Sequence, residues 1–189
     1  MGDCPPTRGA TGGATIGRAA TMLVTAALIS LAAAPATWPA EHRWKTYRNI
    51  RFGFQMVYPR DLFKSGKQPT DGAGLDFTAK DGAEILAQAS FNVDTGVTPE
   101  SYRKELKEGE TVISEEGEGN WFVLVRKEKE NVLYDRVVFT CDNQLLNQVS
   151  ISYPAVKSEL YAPIAKRVAL SFKPGKGEDG PADCKDPTR

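Results

Sequence analysis

This chain of 189 residues contains little histidine and little cysteine, and neither charge is in excess. His42 is the only histidine, and the three cysteines are Cys4, Cys141 and Cys184. The chain has 24 Lys and Arg residues against 24 Asp and Glu residues. Such a balance produces no large electrostatic field that would steer nucleic acid or an anionic membrane towards the protein. We therefore expect no nucleic-acid partner.

The shortage of histidine also limits the catalytic chemistry. A Ser-His-Asp or Cys-His site would need His42 as its base, but His42 lies in a leader that we predict to be mobile. One histidine and widely separated cysteines lack the paired short spacing of a zinc site. The S-x-x-K motif at Ser101 to Lys104 has no companion S-D-N or K-T-G motif, which favours an ordinary exposed helix face. We predict no catalytic residue, no metal and no cofactor.

A long membrane-spanning segment is missing as well, although a shorter apolar segment is present. Arg8 and Arg18 precede the apolar residues 19–34, and the small-residue sequence Ala-Pro-Ala follows at 34–36. This order is typical of a secretory signal peptide, and the apolar core is shorter than the ~20 residues that span a bilayer. We predict a signal peptide over 1–36, its cleavage, and export to the periplasm or extracellular space without stable membrane insertion. A retained N-terminal anchor is the alternative.

The mature chain would keep about 150 residues, which is enough for one domain with a hydrophobic core. We predict a flexible leader over 37–43, a single domain over 44–175 and a polar tail over 176–189. Only Cys141 and Cys184 follow the signal segment, and an oxidising compartment favours a disulfide bond between them. Two free thiols are the alternative.

Alternation of apolar and polar residues predicts a sheet. The residues from Trp121 to Val125 form an unbroken apolar run, which is typical of a strand covered on both faces. Two further strands, in 132–141 and 145–153, complete an antiparallel meander through the turn Asp142-Asn143. The pair Asp81-Gly82 predicts a hairpin between two earlier strands. About seven strands and two main helices indicate an α+β fold with a mostly antiparallel sheet.

Two helices are predicted from capping residues and from apolar spacing. The residues Thr98-Pro99-Glu100 are typical of a helix start, and that helix should end at Gly109. A longer amphipathic helix is predicted over 155–172, kinked or divided into two short helices at Pro163. Its apolar residues Val156, Leu160, Ile164 and Val168 recur at a strict spacing of four, and Tyr161, Ala165 and Phe172 flank them.

Three patches of the sequence resemble the PsbP-like fold. They are YRNIRFGFQMVYPRDLF at 47–63, SISYP at 150–154 and SFKPG at 171–175. The resemblance covers Trp44 to Gly175 and implies an α/β/α sandwich. The family includes extrinsic photosystem subunits, a small factor that acts on the Ran GTPase, and secreted bacterial proteins without assigned activity. Since known members mostly bind other proteins, the resemblance implies a non-catalytic domain that binds a protein partner or a small ligand.

Two sets of residues are candidate sites. Asp71 and Asp76 place two carboxylates on a glycine-rich loop that could offer oxygen ligands to a cation or ligand, with a solvated turn as the alternative. Three aromatic residues could line a binding pocket, with core packing as the alternative: Trp44, Trp121 and Tyr134.

The charged residues in 115–118 and 126–130 are interpreted as solvated hairpin ends. Two alternative functions stay open beside the binding domain. One is a hydrolase that uses carboxylates, because no other acid–base set is present in the sequence. The other is a structural role in envelope assembly.

Overall fold

A computed structural model describes residues 41–93 and 95–176. Within them the strands are β1 (Trp44–Arg48), β2 (Gln55–Pro59), β3 (Phe63–Ser65), β4 (Gly74–Ala79), β5 (Glu84–Phe91), β6 (Thr111–Glu116), β7 (Trp121–Glu128), β8 (Asn131–Thr140) and β9 (Leu145–Pro154). Helix α1 spans Pro99–Lys107, and α2 spans Ser158–Ser171 after a 3-10 turn at Ala155–Lys157. None of these helices is long and apolar enough to cross a membrane.

Seven strands form one antiparallel sheet in the order β3-β4-β5-β9-β8-β7-β6, and β1 pairs with β2 in a separate antiparallel hairpin. The meander β7-β8-β9 is present, and β9 continues the sheet through its pairing with β5. The prediction of an α+β fold with a mostly antiparallel sheet and two main helices is confirmed. The hairpin β1–β2 adds two strands that lie outside the main sheet.

The first face of the sheet, which carries Val149 and Ile151, packs against α2 and β2. Its core is aromatic and aliphatic, and the fully buried side chains include Phe54, Met56, Phe77, Ile85 and Tyr161. Burying a side chain of this size stabilises a fold by roughly 1.5–3 kcal/mol. The first face therefore supplies most of the apolar burial that holds the domain together.

The second face carries a smaller apolar cluster under α1. Tyr102 and Leu106 of α1 pack against five buried side chains of β7, β8 and β9: Phe122, Leu124, Val137, Phe139 and Leu146. Because Val123 and Val125 belong to the first-face core, strand β7 is covered on both sides, as its apolar run predicts.

Helix α1 begins as its sequence predicts. The Thr98 hydroxyl accepts a hydrogen bond from the Ser101 amide, and the Ser101 hydroxyl accepts one from the Thr98 amide, a reciprocal capping box. The helix ends at Lys107, and Gly109 has a φ of +76°, which glycine adopts without strain. The serine of the S-x-x-K motif therefore has a capping role in the structure.

The buried side of α2 agrees with the predicted one in the second half of the helix and differs from it at the first two apolar positions. Its buried residues are Tyr161, Ile164, Ala165, Val168 and Ala169, whereas Val156 is 91% exposed and Leu160 is 41% exposed. In a helix with 3.6 residues per turn, each residue lies about 40° further around the axis than the residue four positions before it. A stripe with a strict spacing of four therefore drifts away from the buried side. Pro163 lies within α2, which is assigned as one helix rather than two.

The turn after β8 is tight and left-handed. Cys141, Asp142 and Asn143 have φ values of 55°, 52° and 66°, a region that Asp and Asn tolerate better than most residues. Cys141 is 7% exposed, while Cys184 lies outside the described residues. The disulfide bond between them stays a prediction, as do the signal peptide over 1–36 and most of the tail over 176–189.

Candidate functional site

The predicted carboxylate loop has an ordinary turn at its centre. The carboxylate of Asp71 accepts a hydrogen bond from the amide of Ala73 at 3.0 Å, and its carbonyl accepts one from Arg51. Asp76 lies on β4 with an exposed side chain. No group of three or more His, Cys, Asp or Glu side chains that could hold a metal ion occurs in 41–93 or 95–176. A role for Asp71 and Asp76 in cation or ligand binding stays a prediction.

The three predicted aromatic residues are all partly buried against the first-face core. Trp44 lies on the β1–β2 hairpin, with the guanidinium of Arg167 4.0 Å from its ring centroid. Trp121 and Tyr134 lie on the neighbouring strands β7 and β8. Burial raises the pKa of the Tyr134 hydroxyl, and the negative charge of Glu116 acts in the same direction. The structure thus brings two of the three to one face and leaves the third on the hairpin.

His42 is held in place by contacts with Asp61 and Trp44, although the sequence predicts a flexible leader at this position. Its Nδ1 lies 2.8 Å from Oδ2 of Asp61, and the amide of Arg43 donates to Oδ1 of the same carboxylate at 2.8 Å. Burial acts to raise the pKa of Asp61, but these hydrogen bonds outweigh it and lower that pKa. The ring of His42 also lies edge-on to Trp44. These contacts anchor residues 42 and 43 beside β1.

The second face contains a buried ionic network. Nη1 of Arg126 lies 3.1 Å from Oδ2 of Asp135, and both side chains are buried. The hydroxyl of Ser150 and the amide of Gln148 donate to Oδ1 of Asp135, and the hydroxyl of Tyr102 donates to Gln148 at 2.9 Å. The network therefore ties α1 to β7, β8 and β9.

Arg126 corrects one prediction. It was expected at a solvated hairpin end, and residues 127–130 are exposed as expected, but Arg126 is only 8% exposed. The reason is its parity, because Arg126 lies on the same side of β7 as Phe122 and Leu124. A long side chain at this position can reach the carboxylate of Asp135 across the strand pair.

Among the described residues, the carboxyl group of Asp135 has a raised pKa. Burial raises this pKa. The hydrogen bond from Ser150, the charge of Arg126 and the hydrogen bond from Gln148 lower it, but by less than burial raises it. A raised carboxyl pKa is a feature of general acids, but the Asp135 side chain is 1% exposed. A substrate has no route to this carboxyl in the structure, so the network supports packing.

A cavity of about 550 Å³ opens near the first face, between the β1–β2 hairpin, β8 and the segment after α2. Its side-chain lining is basic, with Arg48 at the end of β1, Arg136 on β8, and Lys173 and Lys176 after α2. Thr140 and Gln55 also line it, and no Asp or Glu belongs to its described lining. We call this feature the cationic cavity.

The segment that closes the cationic cavity is fixed by backbone hydrogen bonds. Lys173 and Gln55 exchange two of them, at 2.9 and 3.0 Å. The amide of Gly175 donates to Asn147 at 2.9 Å, and its carbonyl accepts from Thr140 at 3.2 Å. A Cβ atom at Gly175 would lie 1.8 Å from the carbonyl oxygen of Phe52, so only glycine fits here without a shift of the chain. This contact explains the glycine of the SFKPG patch.

Three of the basic groups that line the cationic cavity form no ion pair within the described part of the chain. No ion pair among the described residues involves Arg48, Arg136 or Lys173. The guanidinium of Arg136 lies 5.6 Å from the ring centroid of Trp121, and its buried Nε has no hydrogen-bond partner. Such a concentration of one charge in a concave site attracts anions.

None of the basic residues of the cationic cavity was predicted from the sequence as a site residue. Arg48, Arg136 and Lys173 are far apart along the chain, and no short motif connects them. One signal was present in β8, where Arg136 shares its side of the strand with Val132, Tyr134 and Val138. A single arginine on an otherwise apolar side of a strand has to reach a partner, a surface or a ligand.

Comparisons with known proteins identify the fold. No family model matches the chain, and a search of curated proteins finds no match. The solution structure of cyanobacterial PsbP (CyanoP) from Synechocystis sp. PCC 6803 is similar, with a TM-score of 0.50 and 15% identity over 76% of this chain and 98% of that chain. The crystal structure of the Saccharomyces cerevisiae Ran-binding protein Mog1p has a TM-score of 0.53 and 10% identity over 70% and 96% of the two chains. The chain therefore has a PsbP/Mog1-like fold.

Proposed function

We propose that this chain is an exported, non-catalytic domain that binds a protein partner through the surface around the cationic cavity. The observation that carries the proposal is the group of basic side chains there, in a protein of zero net charge, with no Asp or Glu in the described lining of the cavity. Arg48, Arg136 and Lys173 come from three separate elements. No described carboxylate forms an ion pair with these three side chains, and an acidic partner would neutralise their charges.

The fold neighbours support binding as the kind of function. Mog1p is described as a Ran-binding protein, so one protein with this fold recognises another protein. At 10% identity the likeness extends to the fold alone, and neither the partner nor its contacts transfer to this chain.

The chemistry of the described carboxylates supports binding over hydrolysis. The carboxyl of Asp135, whose pKa is raised, lies beneath the second-face network with 1% exposure. The pKa values of Asp61 and Asp81 are lowered, so both carboxyls are poor proton donors near neutral pH. A carboxylate hydrolase needs at least one reachable acid of raised pKa.

Position-specific photo-crosslinking in cells that express the full chain tests the proposal. A photoreactive amino acid at Lys176, on the rim of the cationic cavity, should form a crosslinked band with one protein. The matched control carries the same group at Lys104, an exposed position of α1. Addition of Arg136→Met to the Lys176 variant should weaken the band. Equal bands from both positions, or a band unaffected by Arg136→Met, would contradict the proposed surface.

Export is tested separately. We expect the mature protein to begin after residue 36 and to be recovered from the soluble exported fraction, because the apolar segment of 19–34 is short and ends in small residues. Mass spectrometry of the intact protein measures this directly. Recovery of the full-length chain in the membrane fraction would instead support a retained anchor.

A further inference from the structure

We infer that the cationic cavity is a binding site for an oxyanion, a carboxylate or phosphate group that Arg48, Arg136 and Lys173 hold together. The inference adds the ligand chemistry to the function proposed above and rests on it only for the choice of site. The inference does not require a protein partner, because a free anion can occupy the site by itself.

The first step is the charge of the site. Arg48, Arg136 and Lys173 line one cavity of about 550 Å³, and no Asp or Glu belongs to its described lining. Like charges in a concave site repel each other, and low-dielectric walls strengthen their field. An anion bound between them removes this repulsion, whereas a neutral ligand would leave it unchanged.

The second step is the state of Arg136. Its Nε is buried and lacks a hydrogen-bond partner, and its guanidinium lies over the ring of Trp121. Arg103 and Arg126 also have a buried Nε without a partner, but their guanidiniums contact the carboxylates of Glu115 and Asp135. Arg136 has no such carboxylate among the described residues. A planar guanidinium binds carboxylates and phosphates through paired hydrogen bonds, which is the contact that Arg136 lacks.

The third step concerns the uncharged polar groups nearby. Asn147 is fully buried and binds Thr140 and both the amide and the carbonyl of Gly175. The backbone of Lys173 is likewise committed to Gln55. Because these groups satisfy one another, ligand recognition falls to the basic side chains. The site therefore selects for negative charge, and several oxyanions of suitable size should compete for it.

Titration of the purified protein with three probes at constant salt tests the inference. The probes are citrate, inorganic phosphate and a hexaglutamate peptide, and binding is followed by NMR shifts of backbone amides and by calorimetry. We expect saturable binding that shifts the amides of residues 48, 136 and 173. Arg136→Met should weaken it by about tenfold or more, because the paired hydrogen bonds are lost. Arg136→Lys, which keeps the charge, should weaken it less.

A matched control separates the site from general surface charge. Lys45 is an exposed residue of β1, the strand that carries Arg48, and does not line the cavity. Lys45→Gln should leave the affinity within about twofold, since an isolated exposed charge contributes little. Arg48→Gln supplies a second cavity variant in case Arg136→Met does not fold, and it should also weaken binding.

The three probes distinguish the source of the oxyanion. Tighter binding of hexaglutamate than of citrate or phosphate would indicate an acidic protein segment, and the reverse order would indicate a small solute. Either order supports an oxyanion site. Absence of saturable binding by all three probes, or equal losses in Lys45→Gln and the cavity variants, would overturn it. Saturable binding together with failure of the crosslinking experiment would refute the protein-binding proposal and leave the oxyanion site standing.

Discussion

Two arginines on neighbouring strands of the sheet have opposite surroundings. Arg126 on β7 faces the second side, where Asp135 lies 3.1 Å away and both side chains are buried. Arg136 on β8 faces the first side, where it lines the cationic cavity and contacts the ring of Trp121. The two residues lie on paired strands, and both carry a positive charge. They differ in whether a carboxylate of the described residues pairs with the guanidinium, as one does for Arg126 only.

This difference separates a structural ion pair from a candidate binding group. A buried charge without a partner is strongly destabilising, so the fold keeps Arg126 only together with Asp135. Arg136 is half-buried at an open cavity, where water can solvate its charge. The comparison predicts that loss of a charge on the second face costs stability, whereas loss of one on the first face costs ligand binding.

The largest effect is expected from Asp135→Asn. This change leaves Arg126 buried without a counter-charge and should lower the free energy of unfolding by about 3–5 kcal/mol. Urea denaturation followed by circular dichroism measures the loss. The control is the double variant Arg126→Met with Asp135→Leu, which removes both charges and should recover most of the stability. A single variant within about 1 kcal/mol of wild type would show that the pair is not a structural requirement.

Gly175→Ala tests the frame of the cationic cavity and should have the second-largest effect. The added methyl group would overlap the carbonyl oxygen of Phe52, so the segment from Lys173 to Lys176 has to shift. We expect a loss of about 1–3 kcal/mol, typical of overpacking. In the control, Gly53→Ala, the methyl group meets no atom within 4 Å but the φ is +77°, which should cost about 1 kcal/mol. Equal losses in the two variants would mean that the close contact at Gly175 has no energetic consequence.

Arg136→Met should change stability by no more than about 0.5 kcal/mol in buffer without multivalent anions, because no described carboxylate loses a partner. Phosphate should raise the melting temperature of the wild type and raise that of the variant less, because a ligand stabilises the folded state in proportion to how well it binds. Thermal melts with and without phosphate measure both effects. A loss as large as that of Asp135→Asn would remove the distinction between the two arginines.

The local features of the fold follow from the sequence because their causes are local. The capping box needs only Thr98 and Ser101, which are three residues apart. The meander follows from alternation within each strand and from the turn residues Asp142 and Asn143. Helix α2 shows the limit of such patterns, because the buried side of a helix depends on the sheet on which it lies.

The site could not be predicted in the same way, since it depends on long-range pairing. Arg126 and Asp135 become neighbours through the register of β7 and β8, in which Arg126 lies opposite Leu133 and Asp135 opposite Leu124. The cationic cavity needs Arg48, Arg136 and Lys173 to meet from the hairpin, the sheet and the segment after α2. A polar residue on an apolar side of a strand was the available signal, and it marks both Asp135 and Arg136.

A third ionic contact lies between these two extremes, and its loss should cost less stability than Asp135→Asn and more than Arg136→Met. Nζ of Lys157 lies 2.7 Å from the carboxylate of Asp81, with side-chain exposures of 42% and 26%. The hydrogen bond from Lys157 lowers the pKa of Asp81, burial opposes it, and the hydroxyl of Tyr161 adds to the lowering. The unfolded chain thus takes up a proton first as the pH falls. The contribution of Asp81 to stability is full well above the unfolded value of 3.8 and is lost as the pH falls through the lower pKa of the folded state.

Asp81→Asn should therefore cost about 1 kcal/mol near neutral pH and progressively less in acid, because the wild-type carboxylate is then protonated. Melting temperatures of both proteins between about pH 7 and pH 2.5 measure the difference, which should shrink only below the unfolded pKa of 3.8. Asp76→Asn, an exposed carboxylate on β4, serves as the control and should change little at any pH. A difference that stayed constant into acid would mean that Asp81 stabilises the fold through its shape and neutral hydrogen bonds. The contact between Lys157 and Asp81 would then stabilise the fold as a packing contact, and burial would not explain the order of the three expected stability losses.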